Sequence, residues 1–415
     1  MEDSYRLPTA EPDSESASEL ERDETKRRLG SLDAYRGLAM LLMVGEVLHL
    51  CRVAKHFPDN TVWQWLCFHQ SHVSWVGCSI HDMIQPSFSF MVGVALPFSI
   101  ASRRAKGQSK GWLTVHAFWR ATVLVFLGIF LRSLGSDQTQ FRFDDTLSQI
   151  GLGYGFLFII GWWPKRAQWL ALAVILLGYW AAFALYPVPQ PGSDFDFTSV
   201  GVPNDWPHLM TGFEAHWNKN TNLAHDFDVQ FMNWFPREEP FKYQGGGYVT
   251  LSFIPTLATM IMGLIAGGIL RLDRFWWEKV ALLLAIGAMF LGMGYGLEMA
   301  GICPLVKRIW TPSWALYSGG WCFILMAAIY VIVDVLPLRW LAFPLIVIGM
   351  NSITIYCMSW MIEGWVHDAV MRHFGDGWLS LFHEAYHPLL NGLVVILVFW
   401  LILYWMYRRR IFLRI

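Results

Sequence analysis

Charged residues are scarce in this chain. Only 15% of its 415 residues are Asp, Glu, Lys or Arg, whereas 55% are hydrophobic. So few charges leave too little polar surface to coat a soluble protein, and this composition favours a lipid bilayer as the solvent. The formal net charge is −1, so the overall balance does not indicate a nucleic-acid partner. The sequence therefore predicts an integral membrane protein.

Closely spaced cysteines are also lacking. The six cysteines include no pair separated by two residues, which is the spacing typical of structural zinc sites, so we expect no metal. Cys51, Cys67 and Cys78 share one predicted outer loop. Exported segments form disulfides because their compartment is oxidising, so a disulfide among these three cysteines stays open.

The N-terminal segment contains almost no apolar clusters. Residues 1–28 are rich in Glu, Asp, Ser, Lys and Arg, a composition that cannot bury enough surface to fold, and they are predicted to form a disordered cytoplasmic tail. The tail also lacks the apolar core of a cleavable signal peptide. We therefore expect the first span to stay in the membrane as an anchor.

Apolar stretches of membrane-spanning length recur ten times. Crossing ~30 Å of hydrocarbon takes about 20 helical residues. The stretches cover 37–52, 83–102, 114–134, 146–163, 168–187, 249–270, 279–300, 314–336, 341–361 and 387–406. They predict an all-α polytopic membrane protein with about ten transmembrane helices.

Basic residues cluster at alternate connections between these stretches. The clusters are Lys26–Arg28, Arg103–Lys110, Lys165–Arg166, Arg271–Lys279, Arg339 and Arg408–Arg410. By the positive-inside rule these connections are cytoplasmic, and so are both termini. The connections 51–82, 135–145, 188–248, 301–313 and 362–386 are then extracytoplasmic. Loop 188–248 is the longest, and its Trp and Phe content favours a folded extracytoplasmic loop.

Two charged residues lie at the predicted cytoplasmic end of the first span. In SLDAYRGLAMLLMV, Asp33 and Arg36 are three residues apart and therefore share one helix face. One interpretation is an interfacial ion pair that fixes the depth of the helix. The other is a cytoplasmic anion site in which Arg36 faces a phosphate.

A second polar group lies at the predicted outer lip of the next span. HQSHVSWVGCSIHDMIQPSF supplies His69, His72, His81 and Asp82. Imidazole takes and returns a proton near neutral pH, and a nearby carboxylate can orient it as a base. The alternative is a polar loop that binds a stray metal. Within the first span, Glu46 lies near His49, and such ionisable residues should face the helix bundle.

Several sequence blocks together resemble one known family. SLDAYRG, HVSWVGCSIHDMIQPSF, DTLSQIGLGY, GGGYVTLSFIPTLATMIMGLIAG, PLVKRIWTPSW and GMNSITIY look like successive blocks of the heparan-α-glucosaminide N-acetyltransferase family. The resemblance covers most of 30–360 and makes 29–415 a transmembrane acyltransferase domain. It implies that acetyl-CoA is used from the cytoplasmic side, and that acetyl passes to a sugar on the other side.

The resemblance also implies roles for individual residues. His72 falls where the family has its active-site histidine, and Asp82 matches an acidic position ten residues later. His72 would be the general base or carry the acetyl group. Asp82 would orient it, and Asp33 and Arg36 would bind the donor. Val47 stands where the lysosomal member has Asn, so Glu46 or His49 could take over part of that role.

The predicted acceptor-binding residues come from the outer loops and later spans. They are Asn222, Asp226, Asp228, Lys307, Trp310 and Asn351. Trp310 has a second interpretation as an aromatic membrane anchor, and Asn351 has one as a hydrogen bond between helices. Transfer to nitrogen or to oxygen stays open. A homodimer is a further option, and a bacterial cytoplasmic membrane is the expected location.

An alternative function is proton-coupled transport of a polar solute. His72, Asp82 and Glu46 would then form a proton relay, because ionisable residues inside membrane proteins often mark ion pathways. The two functions differ in one observable product, since only the acetyltransferase releases free CoA from acetyl-CoA when an amino sugar is offered.

Overall fold

Helices make up nearly all of the regular structure in the computed structural model. The described residues are 29–336 and 338–413, so the predicted tail at 1–28 lies outside them. The helices are α1 (Gly30–Val44), α2 (Leu50–His56), α3 (Thr61–Gln70), α4 (Ile84–Ala105), α5 (Lys110–Arg132), α6 (Thr146–Ile160), α7 (Lys165–Ala184), α8 (Leu223–Phe231), α9 (Phe253–Leu270), α10 (Trp276–Met299), α11 (Pro312–Tyr330), α12 (Arg339–Met350), α13 (Ser352–Met361), α14 (Glu363–Phe374) and α15 (His387–Arg408).

Every predicted span coincides with a helix or with a bent helix pair. Within the described part of the chain, seven helices are long and apolar enough to cross a membrane, and the number rises to nine if each of two bent pairs forms one span. The remaining apolar stretch holds α6, which has only 15 residues. The prediction of an all-α polytopic membrane protein is confirmed.

The central helices approach each other through glycines. A Cβ atom on Gly93 of α4 would lie 1.9 Å from the Met260 carbonyl oxygen of α9, and one on Gly263 of α9 would lie 1.9 Å from the Phe90 carbonyl oxygen. No larger side chain fits at either position. Small residues allow this close backbone packing, which drives helix association where water is absent.

Two of the predicted spans are bent helix pairs. The chain bends by 43° between Gly30–Leu48 and α2, and by 67° between α12 and α13. His49 sits at the first bend with a left-handed backbone, φ +48°. The first span therefore continues past its predicted end at residue 52 as a short helix in a new direction. The bend places Glu46, in the 3₁₀ turn Gly45–Leu48, on the wall of a cavity.

A disulfide closes the helical hairpin that follows this bend. Cys51 of α2 and Cys67 of α3 are joined, and Cys78 keeps a free thiol. Of the three cysteines left open by the sequence, these two form the pair. The hairpin leads directly into the segment that carries His72.

The long loop 188–248 packs on that same segment. It contains α8 and buries Trp217 and Ala224. The indole N–H of Trp75 donates to the Trp217 carbonyl oxygen at 3.0 Å. The loop therefore has a core of its own and fixes the backbone three residues after His72.

Candidate active site

His72 and Asp82 form a hydrogen-bonded pair, as the sequence predicted. Nδ1 of His72 lies 2.7 Å from Oδ1 of Asp82. The side chain of His72 is 36% exposed, whereas that of Asp82 is only 1% exposed. The histidine therefore reaches open space while its carboxylate partner is fully enclosed.

The remaining contacts of Asp82 hold its carboxylate in one orientation. Oδ2 accepts hydrogen bonds from the Ser79 backbone N–H at 3.1 Å, the Ser79 hydroxyl at 3.0 Å and the Val73 backbone N–H at 3.3 Å. The segment between His72 and Asp82 folds back on itself to supply these donors. Because the donors stabilise the ionised form, Asp82 is suited to orient an imidazole.

Lys307 joins this pair from a distant part of the chain. Its ammonium nitrogen lies 3.2 Å from Oδ1 of Asp82 and 3.0 Å from Nδ1 of His72, and its side chain is 5% exposed. An antiparallel bridge between Val76 and Val306 brings the two segments together. Burial lowers the pKa of Lys307, and the Asp82 carboxylate opposes this change. Lys307 was predicted to bind the acceptor, and the structure places it against His72 and Asp82.

These contacts define the protonation pattern of His72. The ionised Asp82 carboxylate can only accept hydrogen bonds, so Nδ1 of His72 is assigned a proton that it donates to Asp82, and Lys307 donates to the same carboxylate. The other ring nitrogen, Nε2, is then free to accept a proton. Burial lowers the pKa of His72 below its usual value, and the hydrogen bond to Asp82 acts in the opposite direction. A neutral imidazole at neutral pH is the form that a general base requires.

A second imidazole–carboxylate pair lies beside the first. Nε2 of His81 is 2.5 Å from Oε1 of Glu46. His81 is 5% exposed and Glu46 is 63% exposed. The rings of His81 and His72 have their centroids 4.5 Å apart. Two histidines with separate carboxylate partners thus stand next to each other.

Both pairs open onto one cavity of about 550 Å³, called here the histidine cavity. Residues from the first span, from the 142–146 segment and from α13 form its wall. The polar residues that line it are Glu46, His49, His72, His81, Gln85, Arg132, Arg142, Asp144, Asp145, Thr146, Gln244, Tyr248, Lys307, Tyr356, Ser359 and Glu363.

A second cavity of about 530 Å³, called here the basic cavity, adjoins the first. Four cations line it, namely Arg36, Arg103, Lys106 and Arg120. Asp33 lies 3.7 Å from Arg36 and the two form an ion pair. Thr146 and Tyr356 line both cavities. The basic cavity and the histidine cavity therefore share part of their walls.

A third, smaller cavity extends from the histidine cavity beneath the long loop. It measures about 250 Å³ and is lined by Asp228, Arg237 and Tyr243. Arg142, Asp144, Gln244 and Tyr248 line both it and the histidine cavity. Burial raises the pKa of Asp228 to about 7. This third cavity, called here the loop cavity, therefore shares four polar wall residues with the histidine cavity.

The other predicted acceptor-binding residues have internal partners. The Asn222 side chain caps α8 by accepting the backbone N–H groups of Ala224 and His225. Asp226 accepts the hydroxyl of Tyr186. Trp310 is buried and donates to Thr259 at 3.2 Å, and Asn351 bonds the backbone of Ile411 and Leu413. None of the four lines the histidine cavity or the loop cavity.

Sequence reasoning missed several residues of the cavity walls. Arg142, Asp144 and Asp145 lie in FRFDD, a charged run directly before a predicted span, and that unusual position was the available signal. Tyr248 directly follows three consecutive glycines, Gly245 to Gly247. Arg120 lies inside α5, and an arginine within a span could also have been suspected.

Three potential metal ligands also stand close together. One ligand atom each of Glu46, His72 and His81 lies within 4.8 Å of the others. Each imidazole already has a short hydrogen bond to a carboxylate, at 2.5 Å and 2.7 Å. Such pairing is typical both of proton-transfer groups and of metal-binding histidines, whose second ring nitrogen is commonly bonded to a carboxylate.

Comparisons with known proteins agree with the resemblance in the motifs. No protein-family model matches the chain. Human heparan-α-glucosaminide N-acetyltransferase is 24% identical over 429 residues, which cover 94% of this chain and 60% of that protein. The mouse protein of the same name is 23% identical over 438 residues, with 95% and 61% covered. The chain thus spans about three fifths of the length of these relatives, and the two similarities support the predicted family.

Proposed function

We propose that this protein, which is similar to heparan-α-glucosaminide N-acetyltransferases, transfers acetyl from acetyl-CoA on the cytoplasmic side to an amino sugar on the opposite side. The observation that carries the proposal is that two cavities with different polar linings share part of their walls. The basic cavity presents four cations, the histidine cavity presents His72, and Thr146 and Tyr356 line both. One elongated molecule could occupy the two at once.

The basic cavity is suited to the nucleotide end of CoA. Phosphates bind arginine and lysine side chains through charge-assisted hydrogen bonds. Arg36 was the predicted phosphate ligand, and Arg103, Lys106 and Arg120 stand on the same cavity wall. Arg103 and Lys106 belong to a basic connection that the positive-inside rule assigns to the cytoplasm. The thioester arm would pass Thr146 and Tyr356 to reach His72.

The opposite side of the protein has the features of an exported surface. The Cys51–Cys67 disulfide belongs to the hairpin that leads to His72, and disulfides persist in oxidising compartments. We therefore place the histidine cavity toward the extracytoplasmic side. The loop cavity, with Arg142, Asp144 and Asp228 on its wall, would hold the part of the acceptor sugar that does not react.

His72 acts as the base in the transfer step. Its free Nε2 takes a proton from the acceptor nitrogen as that nitrogen attacks the thioester carbonyl carbon. The new C–N bond forms, the C–S bond breaks, and the sulfur leaves with the electron pair and takes up a proton from the imidazolium. Asp82 keeps the ring in the required tautomer through its 2.7 Å hydrogen bond. A positioned base of this kind contributes about 10²–10⁴-fold to the rate.

The first experiment tests the chemistry. The purified protein is incubated with acetyl-CoA and glucosamine, and free CoA and N-acetylated sugar are measured. His72→Ala should lose about 10²–10⁴-fold in rate, while His56→Ala, which changes an exposed histidine of the same outer hairpin, should retain it. A protein that binds the sugar but releases no CoA would instead support the transporter.

The second experiment tests the donor site with adjacent residues. Arg103 lines the basic cavity, whereas Arg104 stacks over the Trp162 ring 5.9 Å away. Arg103→Ala should raise the KM for acetyl-CoA, and Arg104→Ala should leave it close to that of the wild type. Equal effects of the two substitutions would show that only the general positive charge of this connection matters, and would remove the basic cavity from the proposal.

A further inference from the structure

The reaction with an amino sugar requires the removal of two protons from one nitrogen. An amine in water near neutral pH is an ammonium ion, which has no lone pair and cannot attack a carbonyl. One proton must leave before the C–N bond forms, and the second must leave as it forms. One proton is returned to the departing sulfur, so the balance is one proton released to solvent for each acetyl group transferred.

The histidine cavity contains two groups that could take these protons. Nε2 of His81 is bonded to Glu46 at 2.5 Å, and Nδ1 of His72 is bonded to Asp82 at 2.7 Å. The ring centroids are 4.5 Å apart, and both residues line the same cavity. A single nitrogen atom held between the rings would be close to both.

We propose that the Glu46–His81 pair is a second proton-transfer unit, which converts the bound ammonium of the acceptor into the free amine that His72 then activates. This inference rests on the proposed function and assigns it an amine acceptor. Glu46, the more exposed member of the pair at 63%, attracts the ammonium by its charge. The ring nitrogen of His81 that does not face Glu46 takes the proton, and Nε2–H donates to the carboxylate.

The two histidines then pass their protons to different acceptors in one reaction cycle. His81 receives the first proton and releases it to the solvent. His72 receives the second proton as the C–N bond forms and gives it to the sulfur as the C–S bond breaks. An ester-forming enzyme would need only the second step, because a hydroxyl group has one proton to lose. The second pair is therefore the feature that favours transfer to nitrogen over transfer to oxygen.

Other titratable and charged groups surround His81. Those that share its cavity or contact its partners are Glu46, His49, His72, Asp82, Arg132, Arg142, Asp144, Asp145, Tyr248, Lys307, Tyr356 and Glu363. The positive charge of Lys307 is balanced by the Asp82 carboxylate at 3.2 Å, and that of Arg142 is balanced by the Asp144 carboxylate at 2.7 Å. Glu46 is the carboxylate bonded to the His81 ring, so it is the group to change in a test.

The test compares His81→Gln and Glu46→Gln with the wild type across a range of pH. Glucosamine is the acceptor, and N-acetylated sugar is measured. Near neutral pH both variants should be slower by at most the ratio of ammonium to free amine in solution, and this loss should grow by up to about tenfold for each pH unit below the pKa of the amine. Above the pKa of the acceptor amine, where the free amine is supplied by the solution, the rate ratio should shrink toward one. A residue that only positions the substrate would give a ratio that does not change with pH.

Three controls separate the possible outcomes. Glu363→Gln removes another carboxylate from the cavity wall and should give no pH-dependent ratio. Glu46→Gln serves if His81→Gln does not fold, because Glu46 is exposed to the cavity. A chelator should leave the wild-type rate unchanged. Loss of activity on chelation with recovery on adding Zn²⁺ would assign the pair to metal binding and overturn the inference.

The inference and the proposed function fail in different ways. If the wild type acetylates glucosamine and His72→Ala does not, but both His81→Gln and Glu46→Gln match the wild type at every pH, only the second proton-transfer unit is wrong. A pH-independent loss in both variants would overturn it as well. If the wild type transfers acetyl to no amine at all, the proposed function fails and this inference fails with it.

Discussion

Replacing Asp82 by Asn is the most informative single change in the site. Asp82 accepts five hydrogen bonds or ion-pair contacts, from His72, Lys307, Val73 and two groups of Ser79. An amide has only one oxygen to replace two carboxylate oxygens. If that oxygen faces the donors of Ser79 and Val73, the NH₂ group faces His72 and Lys307, which are themselves donors.

The expected losses follow from this mismatch. To accept a hydrogen bond from the amide, His72 must move its proton to Nε2, the nitrogen that has to act as the base. The matching Asp→Asn change in serine hydrolase triads costs about 10⁴-fold in rate for this reason, so we expect a loss of the same order. Lys307 is left buried without its anion, and breaking a buried ion pair in this way costs about 3–5 kcal/mol of stability.

A double-mutant cycle separates the two effects. Lys307→Met removes the orphaned charge, so Asp82→Asn combined with Lys307→Met should melt at a higher temperature than Asp82→Asn alone, while acetyl transfer stays lost. Thermal unfolding in detergent and CoA release measure the two quantities. Additive losses of stability would refute the ion-pair reasoning, and a folded Asp82→Asn protein with the wild-type rate would refute the tautomer reasoning.

Three further outcomes are expected. Lys307→Met should raise the pKa of His72, because a neighbouring cation that disfavours the imidazolium is gone, so the acidic limb of the pH–rate profile should move to higher pH. Asp228→Asn should stabilise the protein increasingly from about pH 4 to about pH 7, because the buried carboxyl, with its pKa raised to about 7, stays protonated while the same group ionises in the unfolded chain, which lowers the stability of the wild type as pH rises through this window. Cys51→Ser should lower the melting temperature, because a disulfide closing about 15 residues contributes about 3 kcal/mol, and an unchanged melting temperature with Cys67 free would contradict the pairing.

The parts of the fold that depend on local sequence were predictable. All ten apolar stretches became helices or bent pairs, because hydrophobic length is a property of adjacent residues. The His72–Asp82 pair was predictable for the same reason, since ten residues separate its members. The bend at His49 was not predicted, because a left-handed backbone at a histidine depends on the packing of neighbouring helices.

The parts of the site that depend on tertiary contacts were not predictable from spacing. Lys307 lies 235 residues from His72 in sequence, so its position beside the catalytic pair needed the fold. Glu46 and His81 are 35 residues apart, and both were noticed as unusual, but their pairing was not foreseen. Asn222 and Asn351 looked like binding residues because they are polar in unusual places. They instead satisfy backbone groups that burial would leave without partners.

The shared wall of the two large cavities has a consequence for the membrane around this protein. Polar cavities that share Thr146 and Tyr356 as wall residues would, on joining, form a route through the low-dielectric layer of the membrane, and protons cross such a layer wherever water can form a chain. Whenever the donor is absent, the side chains at this junction have to keep such a chain from forming. Tyr356→Ala should therefore be tested in sealed vesicles for dissipation of a pH gradient, because the same opening that admits a thioester would, if widened, uncouple the membrane.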